Sequence, residues 1–461
     1  MTSLKSCLPR LILLLGALLR IATLVAAALW FDEAVTLYRT GIPFMQLFTS
    51  QTEASGDLFL ELLLRLVMWI DPHSLWLLRL PSLLAGLLSL WLVWKLMQEF
   101  QFNLQQQCLV ALFAAFLPGL IWLGQDARAY GLLACLFLAA IWFATQDGWL
   151  GLTACCGLMI YCHSIGPVFA LAALAIAWKL HFWQVRKMLV CGLVTGLAWI
   201  PAIIRILGNG GALDYAWGNK STLEIWVVSS FASAWTKVPL VEFFAGAALM
   251  LATLYLLTRP IKLPARTALI MAWSIPLAGM MAFSLYRNVI IYRTLMPLLF
   301  PFVFWLGWEL GAMQKPIWLR YALAAAWLIL LMDGLLVYRP ADRGGELDQV
   351  AAQIRSQWRI GDQLVYATMT VGLPMEYYLG DLPHAWLTIV HDPLLTAAGI
   401  PRTTQGCPGG CKRWWVIIPD EQYLISPEEC SRLKAYMPGQ PVLSVYYMQA
   451  ARINVYLEDA K

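Results

Sequence analysis

Apolar runs of about 20 residues, each bounded by a few charged or turn-forming positions, recur along most of this 461-residue chain. Runs of that length suit the hydrocarbon of a bilayer, where every backbone N–H and C=O must find its partner within the protein. They point to an α-helical polytopic membrane protein. The composition agrees: 60% of residues are hydrophobic, 13% are charged, and the mean hydropathy is +0.67. The 23 Trp and 17 Tyr are the excess expected of rings that settle at bilayer interfaces. A net charge of +5 with no basic run gives no footprint for nucleic acid; loop charges that orient membrane helices account for it better.

About eleven spans can be placed. The first covers residues 8–30, with no small-residue cleavage site after it, so it is kept as structure rather than as a signal segment. The others cover 75–97, 108–124, 128–145, 148–161, 164–180, 187–206, 239–257, 267–285, 291–311 and 317–337. Residues 58–70 are apolar but too short to cross, and Glu61 and Arg65 interrupt them; they are expected to lie as a helix at the interface. Lys179, Arg186 and Lys187 in one loop, Arg259, Lys262 and Arg266 in another, and Lys5 and Arg10 at the start of the first span all fall on one side. The positive-inside rule makes that side the cytoplasm. Residues 31–74, the segment 207–237 and everything after 338 then face the other side. Arg39, Arg65, Arg128, Arg287 and Arg293 land there against the rule, which marks them as functional candidates.

Charge divides the chain in two. Residues 1–338 hold 21 basic and 14 acidic side chains, whereas the much shorter stretch 339–461 holds 11 and 13. The first is expected to be a membrane domain, with 31–74 as its first outer loop; the second is expected to be a small aqueous domain on the outer side, large enough for a modest core. In it 344–358 and 427–437 have helical spacing, while 362–370 and 413–418 read as strands, which suggests a small α/β unit. Seven of the ten cysteines lie in or beside spans, where they act as small apolar residues. Cys407 and Cys411 bracket Pro-Gly-Gly in the outer domain. They could close a tight disulfide loop, with Cys430 as competitor; free thiols are the alternative. A zinc site is poorly supported, because His384 and His391 lack finger-like spacing.

The polar groups at the outer ends of the spans carry the chemistry. Asp32 and Glu33, in Trp30-Phe31-Asp32-Glu33-Ala34, stand where the first span meets water: one carboxylate can accept a proton while its neighbour tunes the charge. The plain alternative is two acids flanking a helix end in water. Gln125-Asp126-Ala127-Arg128-Ala129-Tyr130 joins two apolar runs, and its guanidinium suits phosphate oxygens; an Asp126–Arg128 pair at a helix end is the bland alternative. Tyr286-Arg287-Asn288 and Tyr292-Arg293 bracket another outer turn. Arg20, in the middle of the first span, must face protein or a wet cavity, as a substrate group or as half of a buried ion pair.

In order and spacing these signposts resemble the GT-C glycosyltransferases. The likeness lies in Arg20, the Asp32–Glu33 pair, Leu78-Arg79-Leu80-Pro81-Ser82-Leu83-Leu84-Ala85-Gly86, Gln125 through Leu133, and Tyr292-Arg293 with Pro297 and Pro301. The nearest branch is the bacterial one related to protein O-mannosyltransferases and the lipid A aminoarabinose transferase (glycosyltransferase family 39-like). Gly361-Asp362 and Tyr377-Tyr378-Leu379 also look like that branch's outer domain. The resemblance implies transfer of a sugar from a polyprenyl-phosphate donor on the outer side of the cytoplasmic membrane. Asp32 would be base or acceptor anchor, and Asp57 a second acid, although the Pro-Pro pair that follows this acid in relatives is Leu58-Phe59 here. His163 stands where relatives carry Thr-His or similar; a helix-end histidine is its alternative role.

The chemistry of the residues agrees with that implication. A departing lipid phosphate needs cations, which Arg128, Arg293 and Arg287 can supply with Tyr130 and Tyr292 beside them; Gln125, Asp126 and His163 are further substrate-site candidates. A lipid, glycan or protein acceptor needs a nearby carboxylate. No nucleotide-binding glycine loop is present, no metal site is written in the sequence, and a divalent ion is compatible but not indicated. A transporter or flippase of lipid-linked sugars is the alternative from another class, but it would be expected to show internal repeats and charges along a path through the bilayer. A non-catalytic lipid-glycan-binding module is a third, disfavoured by the intact acids and arginines.

Overall fold

The structure is a computed structural model, described over residues 2–43, 57–208, 264–286, 289–290, 292–312, 317–337, 346–366, 368–387, 402–403, 412–419, 441–447 and 451–459. Its contacts divide the chain into two units. The first comprises residues 1–24, 44–70 and 77–338, and the second 25–43, 71–76 and 339–461. The chain is mostly helical and carries several apolar helices. Among the described residues, four stretches are long and apolar enough to cross a membrane: Leu75–Glu99, Val185–Ile204, Arg266–Leu285 and Arg293–Ala312. The expected span 239–257 lies outside the described residues, as do 427–437 and Cys407, Cys411 and Cys430.

In the first unit, α1 (Thr2–Ala22) packs on α5 (Leu104–Phe116). The contact is close because a Cβ at Gly16 would lie 2.6 Å from that of Ala115. The first span is shorter than its hydropathy suggests. Helix α1 stops at Ala22, eight residues before Trp30, and Arg20 turns its guanidinium onto the carbonyls of Gly16, Ala114 and Ala115 at 2.9, 3.0 and 2.7 Å. Three backbone acceptors are among the partners of this buried cation, which faces protein as expected.

Helices α3 (Leu58–Met68) and α4 (Leu75–Glu99) follow. The apolar run 108–124 is divided between α5 and α6 (Pro118–Leu123), since Leu117 before the proline is extended (ψ 122°) and cannot continue a helix. Then α7 (Tyr130–Thr145), α8 (Trp149–Cys162) and α9 (Gly166–Leu180) pack on one another, joined by turns of a few residues. Helix α8 also packs on α10 (Val185–Gly208), whose Leu189, Leu193, Leu197 and Ile204 present an exposed apolar face of the kind lipid covers. Helix α11 (Pro264–Tyr286) packs on α9, and a Cβ at Gly279 would lie 2.8 Å from a methyl of Val168. After the short α12 (Tyr292–Leu295) and a 3₁₀ turn (Met296–Leu298) come α13 (Leu299–Ala312) and α14 (Ile317–Val337).

Arg266 corrects its expected place in a charged loop. It lies within α11, buried, with Nε 2.5 Å from Oε1 of Glu309 on α13. The pair is nonlocal, so no loop count could reveal it. Lys179, Arg186 and Lys187 are exposed near the ends of α9 and α10, as expected.

The second unit holds α2 (Phe31–Thr40), α15 (Leu347–Gln357), α16 (Met369–Leu379) and a six-stranded sheet. The strands are β1 (Asp362–Tyr366), β2 (His384–Leu387), β3 (Arg402–Thr403), β4 (Arg413–Pro419), β5 (Leu443–Tyr447) and β6 (Ala451–Asp459), in the order β3-β2-β1-β4-β6-β5. The first four are parallel; β6 is antiparallel to β4 and β5. Central β4 is buried from Trp414 to Ile418, the continuous apolar pattern of a strand covered on both faces. The expected strand over 362–370 ends at Tyr366, and Met369 already begins α16. Gly372 in that helix lets it sit on the sheet, since a Cβ there would come within 2.3 Å of the Trp386 ring.

Asp362 anchors the sheet. Its carboxylate accepts from Arg413 Nε and Nη2 at 3.0 and 2.6 Å, from Trp415 Nε1 at 3.0 Å and from the Arg359 N–H at 2.9 Å. Burial pushes its pKa up, but these donors outweigh burial and hold it below the usual carboxylate range.

Candidate active site

The first unit gathers several of the predicted site residues through its helix ends. The turn between α6 and α7 is closed by Gln125 N–H and Asp126 N–H on the Trp122 carbonyl, at 2.8 and 3.1 Å, and by Arg128 N–H on Asp126 O at 2.7 Å. The Gln125 amide donates to Arg20 O at 3.0 Å and Thr23 Oγ1 at 2.6 Å, so it caps the end of α1. Gly124 meets Gly86 of α4 backbone to backbone, because a Cβ on Gly86 would fall 2.9 Å from Gly124 Cα. Backbone contact of this kind leaves the turn little room to move.

Arg128 emerges from that turn and reaches Asp57, the N-cap of α3, with Nη1 3.5 Å from Oδ2 and side chains only 8% and 3% exposed. This is the contact a local reading of Asp126-Ala127-Arg128 could not supply. Asp126 contributes its backbone to the turn, and a carboxylate 71 positions earlier faces the guanidinium. Two residues on, Tyr130 opens α7 with its ring 5.0 Å from that of His163, just past the end of α8. His163 Nδ1 accepts the Ile165 N–H at 3.2 Å, which assigns the proton of a neutral ring to Nε2. Helix α3 packs on α8, so Asp57 belongs to the same end of the bundle as Cys162 and His163.

Asp57, Asp126, Arg128, Tyr130 and His163 are all less than a tenth exposed. Arg293 lies in α12, beside Thr294, whose hydroxyl donates to Val289 O at 2.8 Å. The 3₁₀ turn three residues after Arg293 packs on α7, the helix that Tyr130 begins. Tyr292 is the first residue of α12, while Arg287 lies outside the described residues. Burying this many polar and charged groups is costly unless each is partnered or put to use. A guanidinium, a phenol and an imidazole in a water-poor setting are suited to stabilising an anionic leaving group.

In the second unit, Asp32 and Glu33 occupy the first turn of α2, where the helix dipole favours carboxylates. They begin a helix; the expectation had them at the end of the first span. Trp30 is the extended N-cap, Asp32 is half-buried and Glu33 is fully buried. Asp32 O accepts the Thr36 hydroxyl at 2.9 Å, and Arg39, also buried, ends the same helix. Helix α2 packs on α16. Two residues of α16 that composition does not mark as site residues contact the chain nearby: the Leu29 N–H, three residues before Asp32, donates to the Tyr378 hydroxyl at 2.8 Å, and the Tyr377 hydroxyl donates to His73 O. The paired tyrosines were the only sequence signal for these contacts.

No protein-family model matches the chain, and no curated protein matches it either. Solved structures do. ArnT from Cupriavidus metallidurans in the apo state superposes with a TM-score of 0.58 at 12% identity, over 96% of this chain and 97% of that one. The same protein bound to undecaprenyl phosphate gives a TM-score of 0.57 with the same identity and coverage. At that identity the likeness is one of fold.

Proposed function

We propose that the chain is a membrane glycosyltransferase that takes a sugar from a polyprenyl-phosphate carrier and transfers it to an acceptor on the outer side of the cytoplasmic membrane. The observation that carries this reading is the full-length fold likeness to a protein crystallised with undecaprenyl phosphate. The buried polar cluster around Arg128 supports it.

In this account Arg128 and Arg293 bind the donor phosphate, with Tyr130, Tyr292 and Arg287 near its other oxygens. Asp57 holds the Arg128 guanidinium in a fixed pose and offsets its charge in the unloaded protein. Asp32 accepts the proton of the attacking hydroxyl or amine, and Glu33 tunes that carboxylate. The acceptor atom bonds to the anomeric carbon as the bond from that carbon to the phosphate oxygen breaks. The electron pair leaves with the polyprenyl phosphate, where the two arginines lower the cost of its charge. His163 donates from Nε2 within the donor site. In this reading the second unit lies on the outer side, which the exposed Lys179, Arg186 and Lys187, as cytoplasmic charges, support.

The test is incubation of purified protein with synthetic polyprenyl-phosphate sugars and detection of free polyprenyl phosphate. Release that depends on Asp32 supports the reading. No release across a panel of sugars and acceptors, together with movement of intact donor across vesicle membranes, would replace it with the flippase.

A further inference from the structure

We propose that Tyr378, with Tyr377 beside it, is a positioning residue that holds the chain just before the helix carrying Asp32 and thereby fixes the pose of its carboxylate. This rests on Asp32 as the proton acceptor. Leu29 stands three residues before Asp32 and is fully buried, so water cannot readily satisfy its N–H. The Tyr378 hydroxyl is the partner it finds, at 2.8 Å. The neighbouring Tyr377 hydroxyl donates to the carbonyl of His73, just before α4 begins. One dipeptide on α16 therefore holds the chain at Leu29, just before the outer segment, and again at His73 near its end, and its two rings pack edge to face with centroids 5.0 Å apart.

The grip is itself braced. Arg355 of α15 donates to the Tyr378 carbonyl at 2.6 Å and pairs through both terminal nitrogens with Asp381, at 3.0 and 2.5 Å. Trp30, between Leu29 and α2, is 2% exposed, so a shift at Leu29 passes directly into the first turn of α2. A small displacement of a general base costs turnover far more than it costs binding of a distant phosphate. The outer domain thus sets the catalytic carboxylate from behind, without touching substrate.

The test compares full-length wild type with Tyr378→Phe, Tyr377→Phe and Asp32→Asn in a donor-plus-acceptor turnover assay. Binding of undecaprenyl phosphate is measured in parallel. Tyr378→Phe keeps the ring and removes only the hydroxyl. We expect its kcat, per folded molecule, to fall by about ten-fold or more while donor KM and undecaprenyl phosphate affinity stay within about two-fold. Tyr377→Phe should fall in the same direction by less. An inactive Asp32→Asn beside a Tyr378→Phe of wild-type kcat would overturn the positioning role alone. A fully active Asp32→Asn would overturn the base assignment and this proposal with it. A raised donor KM at unchanged kcat would also refute positioning, because it would place the tyrosine in donor binding.

Discussion

Replacing Arg128 by alanine removes a guanidinium that faces buried Asp57 and, in the account given, holds the donor phosphate. The two roles separate in a double-mutant cycle. Loss of Arg128 leaves the Asp57 carboxylate, 3% exposed, without the cation beside it. Breaking one side of a buried pair costs about 3–5 kcal/mol; at 3.5 Å through one nitrogen this pair belongs near or below the lower end, so we expect ~2–3 kcal/mol of stability lost. Asp57→Asn in the same molecule removes the stranded charge and should recover most of that loss. Donor binding should behave differently. Loss of one guanidinium from a desolvated phosphate is expected to weaken it by ~2–4 kcal/mol, roughly 30- to 900-fold in Kd, whether or not Asp57 is charged. Arg128→Lys should restore only part, because an ammonium lacks the planar fork. The assays are thermal unfolding of the detergent-solubilised protein and equilibrium binding of undecaprenyl phosphate without sugar. Wild-type affinity in the Arg128→Ala, Asp57→Asn double variant would show that Arg128 is structural, and the phosphate site would have to lie elsewhere.

Other outcomes follow from single contacts. Arg293→Ala should weaken binding of the same ligand by a similar factor, and its effect combined with Arg128→Ala should be less than additive if one phosphate serves both; full additivity in the binding assay would mean separate sites. Gly131→Ala should destabilise the first unit, because its Cβ would lie 2.3 Å from the Leu123 carbonyl oxygen; an unchanged melting temperature would show that the α6–α7 turn relaxes freely. Asp362, held below its unfolded value by Arg413, contributes stability that is present above about pH 4 and lost as pH falls through the lower folded value. His384 has the opposite sign: the Glu376 carboxylate raises its pKa, so its contribution is complete below about pH 6.5 and disappears as pH rises through the folded value. Melting curves of wild type, Asp362→Asn and His384→Gln across that range check both signs, and a His384→Gln difference that grew with pH would contradict the second.

What the sequence made legible was whatever is written locally. The apolar runs marked helices, the 347–354 spacing marked the buried face of α15, and Arg413 to Ile418 marked a strand. The misplacements share a cause: a partner distant in the chain. Helix α1 stops at Ala22 where Gln125, more than 100 positions away, caps its end, and hydropathy continues smoothly through that point. Arg266 looked like a loop cation because Glu309 lies 43 residues on, inside another apolar run. Asp57 and Arg128 were each singled out, but only packing of α3 and the α6–α7 turn shows that they face one another. The acid pair was found from its chemistry, while its setting, the first turn of a helix held by Tyr378, depends on residue pairs some 349 positions apart.

The central claim is that this fold breaks the bond between a sugar and a polyprenyl phosphate using Asp32. The most direct measurement incubates purified wild-type and Asp32→Asn protein with radiolabelled undecaprenyl-phosphate sugars and a membrane-extract acceptor, and quantifies free undecaprenyl phosphate and labelled product. The account predicts stoichiometric appearance of both with wild type, their absence with Asp32→Asn, and a smaller reduction with Glu33→Gln. Equal product from wild type and Asp32→Asn would contradict it.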